Sequence, residues 1–269
     1  MKLVLKLSGK VLEQDSLRHS LGRQIESLTR QGHRILLIHG AGKQLSEFCQ
    51  RAGIPVIQIQ GRRVTDAATL DAAKKVFGGV NTDLTVSLLA SGVRAVGVSA
   101  FDGGLTTSRR RPPLSLTIDG QAQTVDFGYV GEITAIDPRL IDALWLAGFV
   151  PVVSCLCRTP EGQVLNINAD TLATELSLAL RADRLVAVSD VDGIYLDPSD
   201  PETRLPDLAL EEARRFLENG VFLDGMIPKV QNAIRLLEEG VEAFQVLSGL
   251  QEGALARCLE AETGTLVHR

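Results

Sequence analysis

Three residues have types and settings that point to chemistry: Lys6, Asp170 and Lys229. Lys6 ends an otherwise apolar run, where taking its ammonium out of water is costly unless it meets an anion; the alternative is an edge-strand lysine with its head in solvent. Lys229 follows Gly225-Met226-Ile227-Pro228 at the mouth of a helical stretch. A cation there opposes the helix dipole, and a bound phosphate would reverse that penalty; an ordinary surface lysine is the other reading. Asp170 closes Asn166-Ile167-Asn168-Ala169-Asp170 just before a helix expected from Thr171. An N-cap is a sufficient structural explanation for it, and a carboxylate steadying two ammoniums is the chemical one. Asn166 and Asn168, two apart on an extended segment, share a face and can jointly hold a polar substrate. Two amines with an acid between them suit phosphoryl transfer, which asks for in-line positioning and positive charge rather than covalent chemistry. A carboxylate acceptor is already ionised near neutral pH, so no general base is required.

Two loops bear glycine where backbone amides would approach phosphate oxygens: Lys6-Leu7-Ser8-Gly9 and His39-Gly40-Ala41-Gly42. Each follows an apolar strand and precedes a helix, the edge at which open α/β sheets bind ligands. Glycine at such a turn is also ordinary turn chemistry. The Walker A pattern is absent, because Gly42-Lys43 is followed by Gln44 and position 37 is Leu, which disfavours a P-loop nucleotidase.

The elements that must position these residues alternate along the chain. Lys2 to Leu7 is a strand; Leu17, Leu21, Ile25 and Leu28 mark a helix that Gly32 closes; Arg34 to Ile38 is a strand of the doubly covered sort. Thr65 is expected to cap a helix running to about Phe77, and Asp137-Pro138 to start one through Leu146. Strands are expected at Ala95–Val98 and Val150–Ser154, and Leu114–Ile118 and Gln121–Val125 flank Asp119-Gly120, a hairpin signal. The second half reads helix Thr171–Leu180, strand Leu185–Val188, helices Leu210–Asn219 and Pro228–Glu239, then strand Ala243–Leu247. Such alternation predicts an α/β fold with a mainly parallel open sheet sandwiched by helices. Two lobes, 1–165 and 166–269, meet near residue 165.

With 45% hydrophobic and 23% charged residues among 269, the composition is that of an ordinary globular protein. A net charge of -5 gives no footprint for nucleic acid or an anionic membrane, so small molecules are the expected partners. Cys49, Cys155, Cys157 and Cys258 form no CxxC pair and no zinc spacing, which fits reduced thiols in a cytoplasmic protein. Arg109-Arg110-Arg111 reads as a solvated loop, or as a docking patch.

Seven segments taken in order resemble the amino acid kinase family: KLSG at Lys6, IHGAG at Ile38, GRRVTD at Gly61, DFGYVGEI at Asp126, NINAD at Asn166, SDVDGIY at Ser189 and GMIPK at Gly225. The resemblance implies an αβα sandwich whose N-terminal lobe (1–165) binds an acylated amino acid and dimerises, and whose C-terminal lobe (166–269) binds ATP. It implies that Lys6 and Lys229 stabilise the transferring phosphoryl group and that Asp170 orients both. By the same resemblance Gly40, Ala41 and Gly42 line the β- and γ-phosphate site beside the acceptor, while Arg63, Asn166 and Asn168 bind the acceptor, with Arg63 paired to its α-carboxylate. Nucleotide contacts fall to Ser8, Gly9, Met226 and the run Ser189, Asp190, Val191, Asp192, Gly193, Ile194 and Tyr195. Mg²⁺ would be held by the nucleotide phosphates, with no metal cage of protein ligands.

The acceptor so implied is the side-chain carboxylate of N-acetyl-L-glutamate, phosphorylated by ATP on the way to arginine. N-succinylglutamate, carrier-bound aminoadipate and UMP are alternatives within the fold, and a non-catalytic amino acid sensor is an alternative of another class. Against the family pattern, Ser8 and Ala41 replace glycines and Thr82 replaces a lysine. The first strand opens the chain without the extra N-terminal helix of arginine-inhibited members, which implies a homodimer lacking that feedback.

Overall fold

The strands arise where apolar residues run continuously, so that both faces of the sheet can be covered. Lys2–Leu7, Arg34–His39, Ala95–Ser99, Val150–Ser154, Arg184–Ser189 and Ala243–Ser248 are six parallel strands of one sheet. In the computed structural model, which describes residues 1–269 apart from 119, 223–225, 250–252 and 260–262, the order across this sheet is Asp207–Ala209, Thr265–His268, Ala243–Ser248, Arg184–Ser189, Lys2–Leu7, Arg34–His39, Val150–Ser154, Ala95–Ser99. Thr265–His268 runs antiparallel to Ala243–Ser248 and parallel to Asp207–Ala209, so one edge of the sheet is reversed. Asp119 of the expected hairpin turn and Gly225 lie outside the described residues, as does the side chain of Cys258.

Alternate residues of each strand feed two cores. Val4, Leu36, Ile38 and Val153 pack on one face with helices α3 (Gly42–Arg51), α5 (Arg139–Leu146), α6 (Ala169–Ala179) and α8 (Ile227–Glu238). Leu5, Leu7, Leu37 and Val152 pack on the other with α2 (Asp15–Arg30) and the second half of α4 (Ala67–Ala90). From Lys2–Leu7 the first half of the chain builds outward to one side and the second half to the other. The ligand crevice of such a sheet lies where the winding reverses, at the carboxyl ends of the strands, and here that point is the end of Lys2–Leu7.

Most elements fall where the sequence places them. Four local assignments change. Asp66, not Thr65, caps α4 by accepting from the Thr69 amide at 2.7 Å, and Gly78-Gly79 does not end the helix, which continues to Ala90. Asn168, not Asp170, caps α6: its Oδ1 accepts from the amides of Asp170 (2.8 Å) and Thr171 (3.0 Å). Arg109 and Arg110 belong to a strand, Thr106–Arg110, and pair with Glu132 and Asp126 rather than lying in a loop.

Relieved of capping, Thr65 joins three distant segments. Its amide donates to the carbonyl of Phe127 and its own carbonyl accepts from Tyr129 at 2.7 Å, while the Asn166 amide donates to Tyr129. Gly128 sits between, at φ 73° and so close that a Cβ would stand 2.3 Å from the Thr65 carbonyl oxygen. Gly128→Ala is therefore expected to cost about 2 kcal/mol or more, from left-handed strain plus a backbone clash. Denaturant unfolding measures it, and a loss under about 0.5 kcal/mol would contradict the packing described.

Candidate active site

Lys6 is the fifth residue of the central strand, paired in register with Ile38 on one side and Ala187 on the other. Its side chain is only 20% exposed, and its ammonium lies 2.8 Å from Asp170 Oδ1. Asp170 can serve because Asn168 has taken the cap, leaving this carboxylate in the first turn of α6 and aimed across to the sheet. Lys229, in the first turn of α8, is half-buried. Burial is the main cause that lowers its pKa below the usual lysine value; the Lys6 charge lowers it further, while Asp170 and Asp190 oppose the shift. All four charges thus share one field, although they come from four separate stretches of chain.

A second ion pair flanks the first. Lys10 Nζ lies 2.5 Å from Asp190 Oδ2; that contact is the leading cause holding the Asp190 carboxyl below its ordinary pKa. Sequence reasoning assigned Asp190 and missed Lys10, whose one signal was a charge directly after the glycine of the first loop.

The two glycine loops lie side by side. Gln44 Nε2 donates to the Gly9 carbonyl at 3.0 Å and ties the loops together. A Cβ on Gly40 would stand 3.1 Å from that of Ala169, the neighbour of Asp170, whereas one on Gly42 would meet nothing within 4 Å. Ala41 takes the left-handed conformation (φ 55°, ψ 33°), with its methyl buried. His39 is fully buried just ahead of this loop. Asn81 Nδ2 donates to the Val152 carbonyl at 2.9 Å and approaches His39 Nε2 at 3.0 Å. Burial pushes the His39 pKa down to about 4, so the ring is neutral at pH 7. Asn81 was another residue missed in the sequence, although an amide inside an apolar helix is a visible oddity.

Arg63 lies against the second glycine loop. Its Nη2 donates to the Gly42 carbonyl at 2.9 Å and to Ser46 Oγ at 2.5 Å, and desolvation lowers its pKa. Asn166 Nδ2 donates to Thr65 Oγ1 at 3.2 Å, two residues along from Arg63. Among the described residues, buried polar atoms without a partner border these loops: Ser8 Oγ, His39 Nδ1, Gln44 Oε1 and Arg63 Nη1. Buried polar groups are normally satisfied, so the cluster fits a polar ligand.

The remaining assigned residues have mixed settings. Ser189 Oγ donates to Asp190 at 3.2 Å, and Tyr195 donates its hydroxyl proton to Asp192. Gly193 lies tight against Thr265 and Arg204, and the Ile194 amide donates to Thr265 Oγ1 at 2.7 Å. Val191 is half-buried against the main core. Ile194 and Met226 are themselves core residues. Asn168 has its carbonyl oxygen committed to the helix cap. Thr82, exposed on α4, donates to the Gly78 carbonyl.

Because Asp170 supports the charge on Lys229, Asp170→Asn is expected to lower the Lys229 pKa further. Following that amine by NMR of labelled lysine across pH checks the sign; an unchanged or higher value would show the two to be uncoupled.

A family model described as the amino acid kinase family matches residues 1–248. The acetylglutamate kinase of Sorangium cellulosum is 41% identical over 95% of this chain and 89% of its own length. That of Methanothrix thermoacetophila is 33% identical over 98% and 91%. Among solved structures, N-acetylglutamate synthase from Neisseria gonorrhoeae, complexed with coenzyme A and N-acetyl-glutamate, superposes with a TM-score of 0.83 at 27% identity; the match takes in all of this chain and 59% of that one. Carbamate kinase from Giardia lamblia bound to AMP-PNP, at 16% identity and a TM-score of 0.70 over 100% and 98% of the two chains, shares the fold. Sequence and architecture agree that the chain belongs to the amino acid kinase family.

Proposed function

We propose that this protein transfers the γ-phosphoryl group of ATP to the side-chain carboxylate of N-acetyl-L-glutamate, yielding ADP and an acyl phosphate in the acetylated route to arginine. The observation that carries the reading is the convergence of Lys6, Asp170 and Lys229 at the carboxyl edge of the sheet. The curated relatives are kinases of that name.

On this reading Arg63 receives the α-carboxylate of the acceptor. Its orphaned Nη1 supplies a charged donor in a desolvated setting, where such bonds are strong. Asn166 and Thr65 form the polar wall beside it, and Asn168 fixes that wall by capping α6. A γ-carboxylate oxygen attacks phosphorus in line as the bond to the β-phosphate bridging oxygen breaks, and no proton has to be removed. Lys6 and Lys229 stabilise the charge on the migrating group, and Asp170 keeps the two amines from repelling each other apart. The amides of Gly40 to Gly42 and the Ser8 hydroxyl receive the phosphates; the Ser189–Tyr195 segment receives the nucleoside.

Mg²⁺, when bound, supplies positive charge to the triphosphate. No group of three or more His, Cys, Asp or Glu side chains is placed to hold a metal among the described residues, and donor phosphates with water supply enough oxygen ligands for Mg²⁺. We assign residues 1–165 to acceptor binding and 166–269 to ATP. No described helix is long and apolar enough to cross a membrane; cytoplasmic residence and a homodimer complete the proposal. The exposed Val86 and Leu89 of α4 are the apolar surface such a dimer would cover.

ATP, Mg²⁺ and N-acetylglutamate are expected to give a product that hydroxylamine traps as a hydroxamate, with N-succinylglutamate, aminoadipate derivatives and UMP as comparison acceptors. Binding without turnover of any of them would instead mark a sensor. Lys229→Ala is expected to lower kcat by roughly 10²-fold or more with little change in acceptor KM. An effect confined to KM would remove Lys229 from the transfer step.

A further inference from the structure

Lys10 stands outside the set of residues described as the reaction's machinery, yet it sits within it. It follows Gly9 directly, at the start of the five-residue helix Gly9–Glu13. Its ammonium reaches a carboxylate 180 residues away, Asp190, on the loop after the neighbouring strand. The two loops are held together beneath it by the Ser8 amide, which donates to the Val188 carbonyl at 2.9 Å. Asp190 in turn lies in the field of Lys229. Lys6 pairs with Asp170, and Lys43, the other lysine near these loops, pairs with Glu13 on the outer side at 2.7 Å. Among the described residues these contacts bring together three ammoniums, Lys6, Lys10 and Lys229, and two carboxylates, Asp170 and Asp190.

As a stabilising contact the Lys10–Asp190 pair has little to offer. Its side chains are 57% and 36% exposed, and pairs so open to water contribute little to stability. A weak pair beside an anion site is easily exchanged. A terminal phosphate presents several charged oxygens to a flexible ammonium, where Asp190 presents one carboxylate.

We propose that Lys10 is a third phosphate-binding cation, held by Asp190 until a nucleoside polyphosphate arrives and then exchanged onto its phosphate chain. The exchange leaves Asp190 to support the charge on Lys229, so the incoming donor both recruits one amine and strengthens its neighbour. Nothing in the chemistry requires Lys10 to contact the base or the ribose. The inference rests on ATP being the donor, and its test separates the two.

Titration calorimetry with Mg²⁺ compares AMP-PNP with AMP on the wild-type protein, Lys10→Ala and Lys10→Arg. Lys10→Ala is expected to weaken AMP-PNP about tenfold while AMP stays within about twofold, and Lys10→Arg to recover most of the loss. In steady state the KM for ATP rises more than kcat falls, and the acceptor KM is unmoved. Equal weakening of both nucleotides would make the pair a structural tie and overturn the inference, as would AMP-PNP binding that Lys10→Ala leaves intact. Wild-type protein that binds neither nucleotide overturns the donor reading and this inference together.

Discussion

An ammonium cannot sit in the middle of an apolar parallel sheet without an anion nearby. Lys6 is flanked in register by Ile38 and Ala187, and 20% exposure leaves it little water. Asp170 answers that demand at 2.8 Å. Much of the site follows from this requirement: α6 must begin where its first turn can reach the central strand, Asn168 must take over capping, and Gly40 must stay small because Ala169 is pressed against it. The pair also leaves the Asp170 side chain more than half exposed.

The winding of the sheet supplies the rest. Residues near positions 6, 40, 63, 170, 190 and 229 meet because the two halves of the chain diverge from one strand, and every parallel strand delivers its loop to the same edge. The segments beside Arg63 are knitted by backbone bonds among Thr65, Phe127, Tyr129 and Asn166. The Lys10–Asp190 pair depends instead on charge and lies closer to water. On the proposed function, backbone bonds would hold the acceptor still while charged side chains meet the donor.

Much of this was legible before any coordinates. Continuous apolar runs gave the parallel strands, and Lys6, Asp170 and Lys229, singled out by their positions relative to them, are charges that the fold brings together. What could not be read were choices between adjacent residues. Thr65 and Asp66 are both good caps, and only the pairing of Thr65 with Phe127 and Tyr129 decides between them. Asn168 and Asp170 pose the same problem, and the need of Lys6 for a counter-ion decides it. Gly78-Gly79 resembles a helix end, yet α4 is held on by its buried residues on both sides of that pair, Phe77 and Leu84. Lys10 and Asn81 escaped notice because their partners lie far off in sequence, at Asp190 and at His39 and Val152.

Ala41 holds a backbone shape that an L-residue adopts at some cost and glycine adopts freely. Its methyl is locked into the core, with 1% of its surface exposed. A glycine there would leave the loop free to wander among many shapes, from which an arriving anion would have to select one. The alanine removes most of those alternatives in advance. On the proposed function the amides on either side are thus held in one preset arrangement, and affinity there is not diminished by the entropy of organising it.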